Sequence, residues 1–536
     1  MNSLTHRVAL VHPQTRRAFL AQSAAGTLVA ALKSASLHAA DAHPSVPPPV
    51  FRTDHAGLQS KYEDAIRGLR GNVVKVYRFP RPVLIEGGGY PGIWLECGPQ
   101  EGLVNGVLDL DVARANHEVF FDLQRDDGYL PCWVHFGQMG SAQIQMVVPI
   151  AATAYELFER TRDEAFLVKA YTSCSRWDAW LRRYRNTRGT GLCEAFCGYD
   201  TGHDNTPRFK GLPWKCPAND ARICPRAPGL PFLAPDLSAT VFGGRIALAK
   251  MARALARTAE AGQWEERAEA IRKAILAHCF DPQDECFYDV DANHRFKRIK
   301  GDALTRVVGE HVVDQKLFER IYARHLHNPQ EFWAPFPFPS IALNDPAFDH
   351  SLPDNSWGGA SQALTALRAP RWMEHYGKPA ALADLMERWV KALVASRGFK
   401  QQMNPWTGAF STGDLYSPAM LVLFDFVTRL YGIQVTANTI EWNCRLPEGA
   451  NSVEYSVPSP RGSARLHANP VGTELRLGDR LVAQVEGTAR ITTRLDGHAL
   501  SFMGTCPKVS PVRVRYADGR RLEISLQPDA AVAVPG

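Results

Sequence analysis

Residues Tyr199-Asp200-Thr201-Gly202-His203-Asp204-Asn205-Thr206-Pro207-Arg208-Phe209 put a carboxylic acid, Asp204, shortly ahead of a guanidinium, Arg208. Gly202 and Pro207 interrupt regular structure on either side, so both charged groups sit on irregular backbone. A carboxyl in that setting can act as a general acid, protonating the oxygen of a glycosidic bond as it breaks. It must then keep its proton near neutrality, through burial or a neighbouring carboxylate such as Asp200, while Arg208 works against this unless turned toward the sugar. Read as a bare turn, Asp204 would simply cap backbone N–H groups. Asn205, Arg208 and Asp200 are candidates for holding sugar hydroxyls or for bracing the loop, and His203 reads as a hydrogen-bonding neighbour. Trp94, Trp133, Trp357 and Trp406 lie in loop segments where indole rings could stack on sugars. Trp94-Leu95-Glu96-Cys97-Gly98-Pro99-Gln100-Glu101 gathers an indole and two acids into a candidate pocket wall, and Gln143 and Gln145 are candidate hydroxyl ligands. No P-loop, dinucleotide fingerprint or zinc spacing occurs. No organic cofactor and no metal centre is implied, although the Asp-rich loops leave a structural Ca²⁺ open.

With 536 residues the chain exceeds one ordinary core and calls for two or more domains. A hydrophobic share of 45% and a charged share of 22% describe a globular protein. A formal charge of +6 without a long basic run argues against a nucleic-acid partner. Thr15-Arg16-Arg17-Ala18-Phe19-Leu20, followed by an Ala-rich apolar run and small residues at Ala40 and Ala42, matches a twin-arginine signal peptide over residues 1–42. The run is too short and interrupted to span a membrane, so no membrane anchor is expected. A folded, exported protein in the periplasm or beyond is the expectation. Eleven cysteines allow disulfides but leave at least one thiol over, and Cys216–Cys224, Cys279–Cys286 and Cys444–Cys506 are pairings that the spacing permits.

After a Pro-rich linker (43–57), residues 58–432 read as helices with long loops between them. Leu382, Leu385, Met386, Trp389, Val390 and Leu393 form one apolar stripe at helical spacing. Beyond Gly432 the period changes to two: Val512, Val514 and Tyr516, a turn at Asp518-Gly519, then Leu522, Ile524 and Leu526. Residues 433–536 are therefore expected to form a small β-sandwich. Helical hairpins with elaborate loops fit a mainly α (α/α)6 toroid.

The acid-bearing block resembles the Glu-Ser-Gly-X-Asp-Asn-Ser-Pro-Arg-aromatic segment of inverting glycosidases of the trehalase, processing α-glucosidase and mannosylglycerate hydrolase group. Further segments are similar in the same order: Ser141 to Gln145, Thr161-Arg162-Asp163-Glu164-Ala165-Phe166-Leu167, Asp236-Leu237-Ser238-Ala239, Phe287-Tyr288-Asp289 and Asn404-Pro405-Trp406-Thr407-Gly408. The resemblance implies an (α/α)6 toroid, hydrolysis with inversion, and Asp204 as general acid. It also implies a small saccharide substrate such as an α-linked glucoside.

One departure bears on mechanism. The family's general base is a Glu four residues before the Pro of its Glu-X-Tyr-Asn-Pro pattern, and that position is Gln401 here. An amide can orient water but cannot take its proton. Asp414, Asp354 and Glu96, in that order, are the carboxylates that could replace it. The Tyr-Trp-Arg-Gly-Pro segment of the family is altered to Ser356-Trp357-Gly358-Gly359-Ala360 without its arginine, which points to a different substrate. A toroid lyase acting on uronic acids and a non-catalytic glycan-binding protein are the rival readings.

Overall fold

The computed structural model describes residues 47–351 and 355–534. The export signal expected at 1–42, and Asp354, lie outside the described residues.

Twelve α-helices of seven or more residues follow one another among the described residues. They are α1 (Ala56–Gly71), α2 (Gly98–Asn105), α3 (Leu110–Asp122), α4 (Ile150–Thr161), α5 (Glu164–Tyr184) and α6 (Pro235–Ala254). After these come α7 (Thr258–His278), α8 (Ala303–Gly309), α9 (Gln315–Ile321), α10 (Ala363–His375), α11 (Pro379–Ala395) and α12 (Ser417–Tyr431). The even-numbered helices form a closed ring: α2 packs on α4, α4 on α6, α6 on α8, α8 on α10, α10 on α12, and α12 returns to α2. Odd-numbered helices back them, α3 on α2, α5 on α4, α7 on α6, α11 on α10, and α1 on α12.

Burial separates the two layers by residue choice. On α7 only the stripe Ala261, Trp264, Ala268, Ile271 and Ile275 is buried, the pattern of a helix with one face in water. On α12 nearly every side chain from Ser417 to Tyr431 is buried, as suits a helix packed on both sides. The expected stripe of α11 is buried as well. Thr161 to Leu167 owes its form to two caps in succession. Arg162 ends α4 in a left-handed conformation (φ 56°), and Asp163 starts α5 by accepting from Phe166 N at 2.9 Å.

The C-terminal region is strand-rich. Val453–Ser459, Gly462–Asn469, Gly472–Leu477, Arg480–Glu486, Ser510–Tyr516 and Arg521–Leu526 form an antiparallel sheet. Ile433–Val435, Thr439–Cys444, Ala489–Arg494, Ala499–Met503 and Ala531–Ala533 form a second. The expected hairpin is present, with Val512 opposite Ile524 and Val514 opposite Leu522. Residues 43–57 need correction as a mere linker: Val50–Thr53 is the edge strand of the first sheet, with Phe51 opposite Tyr455. Its exposed–buried alternation is too short to register against the Pro-rich stretch before it. The strand-rich region is tied to the helices by Arg490, which donates to both oxygens of Glu374 at 2.8 and 2.7 Å. Arg445–Glu387 and Thr428–Tyr455 add to that contact.

Candidate active site

The segment bearing Asp204 is held from three sides by buried polar contacts. On the first, Asp200 accepts from Arg185 and from the backbone N–H groups of Ile144 (2.8 Å), Phe196 (2.7 Å) and Cys197 (3.2 Å). On the second, Arg208 spends all five N–H donors. They reach both oxygens of Asp289 (2.8 and 2.7 Å), both oxygens of Asp236 (2.7 and 2.9 Å) and Nδ1 of His203 (2.9 Å). Despite the desolvation that burial imposes, Arg208 holds the Asp236 carboxyl well below its ordinary range.

On the third side, His203 Nε2 meets Asp302 Oδ2 at 3.1 Å. Nδ1 accepts a hydrogen bond from Arg208, so the ring is neutral with its hydrogen on Nε2. Burial, reinforced by Arg306, lowers the His203 pKa to about 3. Arg306 donates to Asp302 at 2.8 Å and lies 5.3 Å from the Trp357 ring, whose edge meets His203. Gly202 has φ +66°, and a side chain there would strike the Glu96 carboxylate, so this turn requires glycine. Asn205 also adopts a left-handed φ of 58° and donates to Asn355 O at 2.8 Å.

From Asp204 a chain of hydrogen bonds leads outward. Asn355 Nδ2 donates to Asp204 Oδ2. Gln401 Nε2 donates to Asn355 Oδ1 at 2.7 Å, and Tyr90 Oη donates to Gln401 Oε1 at 3.0 Å. The amide of Gln401 thus has its orientation set at both ends. A two-residue ladder pairing Ser361–Gln362 with Gln402–Met403 fixes its backbone. Asn355, Tyr90 and Gln401 line a small pocket together with Lys400, Asp414 and Tyr416. Asp414 is exposed, and its Oδ1 accepts from Phe399 N and Leu415 N, both at 2.7 Å.

The sequence-expected residues therefore divide. Asp204, Asn205, Gln401 and Asp414 gather around the pocket and the chain of amides leading into it. Asp200 and Arg208, expected among sugar ligands, are instead the two anchors of the loop: each is fully engaged and buried (0% and 2% exposed). Trp94 and Trp357 are 3% and 2% exposed and present no open ring face, so they pack the walls. Gln143 donates to Gln145 at 2.9 Å, and Gln145 to Glu96 at 3.0 Å, which makes these three a buried bracket beside Gly202. Trp406 is 44% exposed and packs edge-on against Phe348 and His350. Asn404 builds its turn by accepting from Trp406 N and Thr407 N at 2.9 and 3.1 Å. Asn355 and Tyr90 escape the sequence reading, since nothing local marks a residue whose role comes from partners 151 and 311 positions away.

All eleven cysteines are free, so none of the three pairings the spacing permitted is formed. Among the described residues, two buried clusters bring metal-ligating atom types together, Cys197–Asp200–Cys216 and Glu86–Glu96–Cys97. Arg185 occupies the first. In the second, burial and the carboxylates around Cys97 push its thiol well above the ordinary value, so it is a protonated thiol rather than a metal-ready thiolate.

Residues 104–417 match the model of the mannosylglycerate hydrolase MGH1-like glycoside hydrolase domain. The protein is a glycoside hydrolase, and its substrate is a saccharide. With more than half of its length matched, the chain belongs to the MGH1-like family. None of the curated proteins matches it. The GH63 mannosylglycerate hydrolase of Thermus thermophilus superposes with a TM-score of 0.57 at 18% identity, over 68% of this chain and 99% of that one. Neutral trehalase of Saccharomyces cerevisiae gives 0.52 at 13% identity, over 65% and 74%. A GH78 rhamnosidase of Bacillus sp. GL1 gives 0.55 at 12% identity, over 83% and 41%. At such identities the likeness is one of fold.

Proposed function

We propose that the protein is an exported, inverting hydrolase of an α-linked glucoside or related short saccharide, with the helical ring acting as an (α/α)6 toroid. Residues 58–432 would form the catalytic domain, and 433–536 with the strand at residue 50 the β-sandwich. In this reading Asp204 gives its proton to the leaving oxygen, and Gln401 orients a water whose proton passes to Asp414. The observation that carries it is the hydrogen-bond chain Asp204–Asn355–Gln401–Tyr90, ending in the pocket that also holds Asp414. Inversion places acid and base on opposite faces of the sugar with water between them. Asp414 suits the base, since two N–H groups fix its Oδ1 and its exposed position lets Oδ2 meet a water. Asp204 is 1% exposed behind Asn355, so the sugar oxygen must take the place of the Asn355 amide to reach the acid. No cofactor is needed for these steps. The twin-arginine pattern at residues 15–20 supports export to the periplasm or beyond.

Proton NMR of the purified mature protein with α- and β-linked disaccharides, trehalose and mannosylglycerate tests this reading. Release of a sugar whose anomeric configuration is inverted supports it. Retention of configuration, or an unsaturated product, ends it.

A further inference from the structure

Cys197, Cys216 and Phe196 form a small buried cluster apart from the main core, with Cys224 packed against it. The Sγ atoms of Cys197 and Cys216 are 3.8 Å apart. That is about 1.8 Å beyond a disulfide bond length of about 2.05 Å, a gap within reach of side-chain rotation. We infer that Cys197 and Cys216 are the site of an oxidative cross-link that staples the loop carrying Asp204. Cys197 immediately precedes the 3₁₀ turn Gly198–Thr201. Cys216 lies past Arg208, and its backbone N–H donates to Ala142 O at 2.9 Å. The bond would therefore close residues 197–216 into a ring with Asp204 inside it.

The competing chemistry for the same atoms is metal binding, with Asp200 as third ligand. The electrostatics oppose it. Both Asp200 oxygens are committed to Arg185 and backbone N–H groups, and Arg185 Nη2 lies 3.8 Å from Cys216 Sγ. A guanidinium among the ligands repels a second cation.

Cys224 supplies the entry route, being partly exposed while Cys197 and Cys216 are buried. Its thiolate attacks a small-molecule disulfide and releases one thiol. Cys216 displaces the second thiol, and Cys197 then takes over the bond to Cys216 and returns Cys224 to the thiol. In sum, two thiols lose two electrons and two protons, and the oxidant disulfide leaves as two thiols. Burial pushes the Cys197 thiol well above its ordinary value and that of Cys224 up to about 12, so exchange is slow at neutral pH and speeds up in alkaline buffer.

The test uses the folded mature protein, treated with oxidised glutathione at alkaline pH, then alkylated under denaturing conditions and mapped by mass spectrometry. The expected result is a linked pair of peptides containing Cys197 and Cys216, both lost from the alkylated pool together. A melting temperature raised by a few degrees and restored by dithiothreitol should accompany it. Cys224→Ser should slow cross-linking several-fold, Cys197→Ser should stop the exchange at the Cys216–Cys224 bond, and Cys216→Ser should abolish the Cys197–Cys216 link and its shift in melting temperature. Recovery of both cysteines as alkylated peptides after exhaustive oxidation would overturn the inference. So would a Cys216–Cys224 link in their place, or stoichiometric zinc bound with both thiols protected.

Discussion

Asn355 stands between the acid and the pocket, and three side chains depend on which way its amide faces. Nδ2 serves Asp204, so Oδ1 is left to receive Gln401, and Gln401 must then accept from Tyr90. Asn355→Ala removes the donor that holds the Asp204 carboxylate. We expect kcat to fall about ten- to a hundredfold, with the alkaline limb of the pH–rate profile moved to higher pH, because losing that donor raises the proton affinity of Asp204. A profile unchanged in shape and rate would show that the amide is only structural. Asp204→Asn should lose about 10²–10⁴-fold in kcat with the fold intact. Asp414→Asn should lose a similar factor, and Asp414→Ala should regain turnover with azide, giving a glycosyl azide of inverted configuration. If Asp414→Asn is fully active while Asp354→Asn is inactive, the base belongs to the second residue. Asp204 is legible as a candidate acid because a Gly-X-Asp turn followed by Pro-Arg is a local pattern. Arg208 reads from the sequence as a sugar ligand, and only the fold shows that Asp236, Asp289 and His203 use up its donors.

Among the elements, α2 and α8 show what a ring of inner helices exacts from its acids. Glu101 on α2 is buried, and desolvation raises its pKa to about 7 from an ordinary 4.5. Glu310, at the C-terminal end of α8, is likewise pushed up to about 8 by burial. A raised carboxyl pKa means that the folded state keeps a proton the unfolded chain has given up. The cost is absent below about pH 4.5, grows as pH rises to about 7 and is constant above, amounting to roughly 3 kcal/mol for Glu101. Glu101→Gln should therefore gain in melting temperature relative to wild type across that interval. Paired thermal melts from about pH 4.5 to about pH 8 check this, and a difference that does not vary with pH would rule out an ionisable Glu101 as its source. Helices were the most legible elements, since the stripes of α7 and α11 and the cap pair at Arg162-Asp163 are written in adjacent residues. The strand Val50–Thr53 was not, because four residues carry too little alternation and its partner lies near the other end of the chain.

At the scale of the molecule, the strand-rich region is bound to the helical ring by charge as well as by packing. Arg490 is 7% exposed and holds both oxygens of Glu374, so Arg490→Met leaves a partly buried carboxylate without its partner. We expect a loss of about 1–3 kcal/mol. If the two regions form one cooperative unit, calorimetry of this variant shows a single, lower transition; two separated transitions would show that the sheets unfold independently. The change from helical to two-residue periodicity at Gly432 made this division readable from the chain. The contact across it could not be read, because it joins residues far apart in the sequence.

The pairing of Phe51 with Tyr455 carries one more consequence. The strand Val50–Thr53, the first among the described residues, has no partner until most of the chain has been made. A nascent chain can assemble its helices in order, but the edge strand waits, with its N–H and C=O groups open to any passing strand. Final closure is thus an act of the finished polypeptide, and a chain truncated before residue 453 would keep its beginning unpaired.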